Sequence, residues 1–175
     1  MKSYKTDIPT DSLTQEYLPA NYTDAFACEV TGAQKLSADD MMISFWTVVP
    51  DWVDALFKVR NLLVRPFGLE TGETDNYIEK FEEIIRAGKG SNGIMSVVAK
   101  SDNETVVLLS DKHLDAYMSV YTTSRDDSQT VVVLTLVHYK NIFGKVYFFF
   151  IRPFHTVIVK SILQNTLKRL LSCPT

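Results

Sequence analysis

At 175 residues the chain suits one domain and buries roughly 70% of its unfolded surface, enough for a core without disulfide or metal staples. A composition of 46% hydrophobic and 22% charged residues, with 7 Gly and 6 Pro, excludes disordered and collagen-like chains. The net charge of −3 is uneven: no acidic residue follows Asp127, whereas Lys140, Lys145, Arg152, Lys160, Lys168 and Arg169 do, leaving 12 basic and 21 acidic residues before them.

These features set the expected environment. The two cysteines, Cys28 and Cys173, are too few for a disulfide framework and lack zinc-site spacing, so no metal or other cofactor is expected. The opening "MKSYKTDIPTDSL" has no apolar core of a signal peptide, and a reducing, cytoplasmic setting is expected. In "NIFGKVYFFFIRPFHTVIVKSILQ" the charges of Lys145, Arg152 and Lys160 break the apolar run, so no transmembrane segment is expected. The basic residues are spaced out rather than clustered. They suit a helix lying against an acidic body, and no nucleic-acid partner is expected.

Residues 1–20, polar and carrying Pro9 and Pro19, read as an extended arm ahead of one domain over 21–172. In "YTDAFACEV" Phe26, Cys28 and Val30 alternate along one face of a first strand. Ser37 and Asp40 have capping-box spacing and open a short helix through Met41, Met42, Phe45 and Trp46. After Pro50, Trp52, Leu56, Val59 and Leu63 repeat at helical spacing up to Pro66 and Gly68. Tyr77, Ile78, Phe81, Ile84 and Ile85 predict a further helix, followed by a turn at Gly88, Gly90 and Gly93 that lacks the ending of a phosphate loop. From Ile94 the period is two. "IMSVVAK" and "TVVLLS" flank "SDNE", and "HLDAYMSVYTT" and "TVVVLTLVHY" flank "SRDDSQ", as two hairpins. The last of these strands is apolar on both faces and should be central.

The closing stretch puts Tyr147, Ile151, Phe154, Ile158, Ile162 and Leu170 near one helical stripe, predicting a helix from about Phe143 to Leu171 with a bend at Pro153. A long C-terminal helix, two short helices after the first strand and an antiparallel sheet make an α+β, helix-grip arrangement, in which a curved sheet wraps the long helix and space between them can form a pocket.

The motifs "YTDAF", "PDWVDALFKVRNLLVRPFGL", "DKHLDAYMSV" and "GKVYFFFIRPFH", in that order from Tyr22 to about Leu171, resemble domain-of-unknown-function family 2867, a largely bacterial family. The resemblance implies kinship with helix-grip proteins of the START, birch-pollen-allergen and polyketide-cyclase type. It implies a fold and a cavity that holds apolar ligands, with no established reaction.

Two groups of polar residues are candidate catalytic sites. Asp111, His113 and Asp115, read on one strand face, could serve a cation or act as acid and base beside His138, although three ligands on a straight strand are too splayed for a small ion. The competing reading is a solvent-facing edge. Arg152 and His155 flank the bend at Pro153 and could bind a carboxylate or polarise a carbonyl; otherwise His155 satisfies the carbonyl that proline frees and Arg152 pairs with the acidic body. Trp46, Trp52 and Phe57, with Tyr147, Ile151, Phe154 and His155, are the expected ligand-lining set; core packing is their competing role. Arg60 and Asn61 lie on the second helix, and their match to the family motif favours a structural role at least as much as a functional one.

Binding of a small apolar molecule between sheet and last helix is therefore the leading expectation. An enzyme of the cyclase, dehydratase or hydrolase kind and a protein-interaction module are the alternatives, and an enzyme is the less favoured. Oligomeric state is not legible in the sequence.

Overall fold

The alternation after Ile94 builds most of one antiparallel sheet. In the computed structural model, which describes residues 2–32, 35–47, 50, 52–53 and 77–172 (side chains of 77 and 78 excepted), the strands are β1 (Tyr4–Lys5), β2 (Tyr22–Thr31), β3 (Gly90–Asn92), β4 (Met95–Lys100), β5 (Glu104–Ser110), β6 (Leu114–Arg125) and β7 (Ser128–Tyr139). Their order is β1-β2-β7-β6-β5-β4-β3. The helices are α1 (Ala38–Thr47), α2 (Tyr77–Ala87) and α3 (Ile142–Ser172). The protein is thus α+β, with an open antiparallel sheet, short helices and a long C-terminal helix, consistent with the helix-grip expectation.

Both predicted hairpins form. The second is tighter than expected, because Arg125 pairs with Ser128 and only Asp126 and Asp127 turn the chain. Asp126 holds a φ of 50°, a left-handed conformation that Asp adopts more readily than most residues. The glycine turn after α2 also carries more order than expected, as Gly90–Asn92 adds the edge strand β3.

β7 is central, between β2 and β6, and each face is covered by a different part of the chain. Val131 and Val133 join the main core with Phe26, Cys28 and Val30 of β2, Met41, Met42 and Phe45 of α1, Phe81 and Ile85 of α2, and Val159, Ile162, Leu163 and Leu167 of α3. On the opposite face Val132, Leu134 and Leu136 pack with Ile8, Tyr17 and Ala20 of the arm. The arm is therefore not simply extended: a 3-10 turn at Leu13–Tyr17 follows β1. Buried Glu104 clamps it to the sheet, accepting from Ser12 Oγ at 2.7 Å, Leu13 N at 2.6 Å and Ser119 Oγ at 2.5 Å.

Ser37 caps α1 as expected, accepting from Asp40 N at 3.0 Å and donating to Asp40 Oδ2 at 2.7 Å. Lys100 reaches across from β4 to cap α2, donating to the carbonyls of Ile85 and Arg86 at 2.8 and 2.9 Å while it pairs with Asp39 at 2.6 Å. Of the predicted second helix, residues 52–53 are helical; Leu56, Phe57, Val59, Arg60, Asn61 and Leu63 lie outside the described residues.

The long helix runs unbroken through Pro153, but its buried stripe differs from the predicted one. Gly144, Phe148, Val159, Ile162, Leu163, Thr166 and Leu167 face the protein, whereas Phe154 is exposed and Tyr147, Ile151, Ile158 and Leu170 sit at the margins. "VYFFFI" is apolar all round, so periodicity alone could not tell the stripe through 147 and 154 from its neighbour through 148 and 155.

Candidate functional site

Strand alternation extends the inner face of β2 back from Phe26 to Asp24 and Tyr22, and antiparallel register sets Asp24 opposite Thr135 of β7. α3 crosses above them and brings Phe148, Arg152 and His155 at spacings of four and three residues, so that one helix face meets this part of the sheet. A carboxylate thus stands in an otherwise apolar layer. Asp24 is 5% exposed.

The contacts of Asp24 are one-sided. Its Oδ2 accepts from Tyr22 Oη at 2.6 Å and lies 3.4 Å from His155 Nε2, while its Oδ1, also buried, has no hydrogen-bond partner among the described residues. His155 Nε2 is also 3.2 Å from Thr135 Oγ1. Aromatic surface closes the group: the Tyr22 ring lies 4.8 Å from that of Phe148 and 6.1 Å, edge-on, from His155, and the Arg152 guanidinium sits over it at 5.1 Å. Burial, reinforced by the hydrogen bond to Asp24 and its charge, pushes the Tyr22 phenol up to about 12 against the opposing pull of Thr156 and Arg152.

This geometry constrains the chemistry. A buried carboxylate oxygen without a donor costs about 1–3 kcal/mol or more. The site is not arranged as a nucleophile relay. Such a relay needs the carboxylate on one imidazole nitrogen and the hydroxyl on the other, whereas here Thr135 and Asp24 both address Nε2. Cys28, further along the same strand face, is buried, and burial raises its thiol pKa, which disfavours the reactive thiolate.

The other predicted residues are distributed elsewhere. Asp111, His113 and Asp115 do not share a strand face, because β6 begins only at Leu114. Asp111 Oδ1 accepts from the backbone N of His113 at 2.6 Å and of Leu114 at 2.9 Å, a local turn of the kind Asp favours. Asp115 pairs with Lys140 at 2.7 Å, and His113 Nδ1 meets Asn141 Oδ1 at 3.2 Å beside the start of α3. Thirteen residues of helix, about 20 Å, separate that end from His155. His138 is tied to the arm, with Nε2 3.0 Å from the Tyr17 carbonyl.

Of the expected lining set, His155 joins the Asp24 group, and Tyr147 packs in the cluster of Phe148 and Tyr22 beside it. Trp46 packs against Phe45 and Phe81 with its indole nitrogen buried and without a partner among the described residues. Trp52 and Phe154 are exposed, and Phe57 lies outside the described residues. Among the described residues, Arg152 stacks on Tyr22 rather than pairing with an acid, and His155 meets side chains of the sheet instead of a freed helix carbonyl.

Tyr22, Asp24 and Thr135 were missed by reasoning from the sequence. The signal was there: extending the alternation of Phe26, Cys28 and Val30 two steps back puts an acid on the buried face, and Thr135 interrupts "VVVLTLV" on the matching face of β7.

Among known proteins, no curated sequence and no solved structure matches the chain. Residues 17–162, a span that contains every member of the Asp24 group, match the family described as protein of unknown function DUF2867, and the chain belongs to that family.

Proposed function

We propose that this protein binds a small molecule between the inner face of its sheet and α3, and that the ligand has an apolar body with one N–H or O–H group aimed at Asp24. The buried Oδ1 of Asp24, without a donor among the described residues, carries this reading. Tyr22 and Phe148 offer aromatic surface for the apolar part, and Arg152 stands at the exposed side of the same group. An acid–base role for Asp24 and His155 has less support, because the shared Nε2 leaves no separate path for a proton between Thr135 and the carboxylate.

Native mass spectrometry of the protein as purified, followed by a thermal-shift screen of apolar amines and alcohols, tests the reading. A co-purifying mass or a saturable rise in Tm is expected for the wild type. Asp24→Asn keeps an acceptor for Tyr22 but places an N–H₂ donor where Oδ1 stood, and should weaken binding at least tenfold. No bound mass and no stabilising compound, or equal binding by the variant, would refute it.

A further inference from the structure

From its start to about Val157, α3 turns a broad apolar face away from the protein. Ile142, Val146, Phe149, Phe150, Phe154 and Val157 are all exposed, and at 100° per residue they fall within an arc of about 140°. Phe149, Phe150 and Phe154 are 73%, 66% and 55% exposed. At 150–250 Å² per ring, these three alone present about 300–500 Å² of aromatic surface, and the aliphatic residues enlarge it beyond what monomers usually leave in water. Among the described residues, these three rings belong to none of the buried core clusters.

Charge identifies what covers the face. α3 contains Lys145, Arg152, Lys160, Lys168 and Arg169 and no acidic residue. Lys145 and Arg152 border one edge of the apolar arc, both exposed. A second copy docking through the same face would bring these cations together without an acidic partner on either helix. An anionic lipid surface satisfies both halves of the pattern, with rings in the acyl boundary and cations among the headgroups.

α3 is also long and apolar enough to cross a membrane, with 22% of its most apolar window buried. Its packing favours the surface over the span. Gly144 lies so close to the β5–β6 turn that an added Cβ would fall on the His113 carbonyl, and Phe148, Val159, Ile162, Leu163 and Leu167 are committed to the sheet and core. A spanning helix would surrender all of these contacts and put charged side chains in hydrocarbon.

We infer that the protein docks reversibly on anionic membranes through the exposed phenylalanine face of α3, lying in the interface plane. The inference rests on exposure and charge; it shares only Arg152 with the ligand reading. The test is sedimentation with phosphatidylcholine vesicles, with and without 30% phosphatidylserine, at 0.1 and 0.5 M salt. At least tenfold tighter binding to the anionic vesicles is expected, weakened by salt. Phe149→Ser with Phe150→Ser should lower it at least tenfold with unchanged circular dichroism. Phe149→Trp should hold or raise it, an outcome that misfolding cannot imitate. No binding to anionic vesicles, binding that ignores the Phe149/Phe150 change, or a dimer in solution that the serine variant dissociates would overturn the inference.

Discussion

Replacing Glu104 by alanine should destabilise the protein through the arm rather than through the main core. The carboxylate is 1% exposed and accepts three hydrogen bonds, two of them from the arm. Hydrogen bonds to a charged group contribute about 1.5–3 kcal/mol each, but alanine also removes a desolvated charge, and the two effects partly cancel. What persists is the backbone N–H of Leu13 left without its acceptor, about 1–3 kcal/mol, together with the small cavity where the side chain stood. A net loss of about 3 kcal/mol is expected, a fall in Tm of roughly 6–12 °C for a chain of this size. Glu104→Gln should cost less, about 1 kcal/mol, because its carbonyl can face Leu13 while the serine hydroxyls reorient towards its amide. Urea unfolding gives the free energies, and hydrogen exchange over residues 2–20 shows where protection is lost. An alanine variant within 0.5 kcal/mol of wild type, or one whose lost protection lies in α1 and α3 instead, would refute the clamp.

Further outcomes follow at Tyr22 and at Gly144. The Tyr22 phenol, raised to about 12, should appear in a spectrophotometric titration as a late-ionising tyrosine, and Asp24→Asn should move its midpoint down towards the ordinary value of about 10. Because the folded value is the higher one, the stability linked to Tyr22 is complete below pH 10 and is lost as pH rises through 12; a Tyr22→Phe variant should lack that alkaline loss. Gly144→Ala should destabilise by about 1–3 kcal/mol, since the new Cβ falls on the His113 carbonyl. Helix propensity alone predicts a gain of about 1 kcal/mol, so the sign of the change in a thermal melt decides between them.

The fold was legible where one period dominates. The two hairpins, the first strand, the capped α1 and the helix at Tyr77–Ala87 follow from alternation or helical spacing together with identifiable caps. The stripe of α3 was not, because aromatic residues on every side of "VYFFFI" remove the contrast on which periodicity depends, and because the exposed phenylalanines break the rule that apolar residues face inward. The site was legible only in part. His155 and Arg152 drew notice as isolated polar residues in an apolar run. Asp24 and Thr135 are brought together by strand register across 110 residues of sequence, a pairing that local spacing cannot display. Asp111, His113 and Asp115 looked like a strand face, yet Asp111 ends the strand by binding the backbone two and three residues on.

The central claim is that an outside donor completes Asp24, and a high-resolution crystal structure of the protein as purified tests it most directly. The account predicts non-protein density at hydrogen-bond distance from Oδ1, continuing as an apolar body between α3 and the inner face of β2 and β7. A lone ordered water at Oδ1, or a protein side chain donating to it, would contradict the account and leave Asp24 a structural acid.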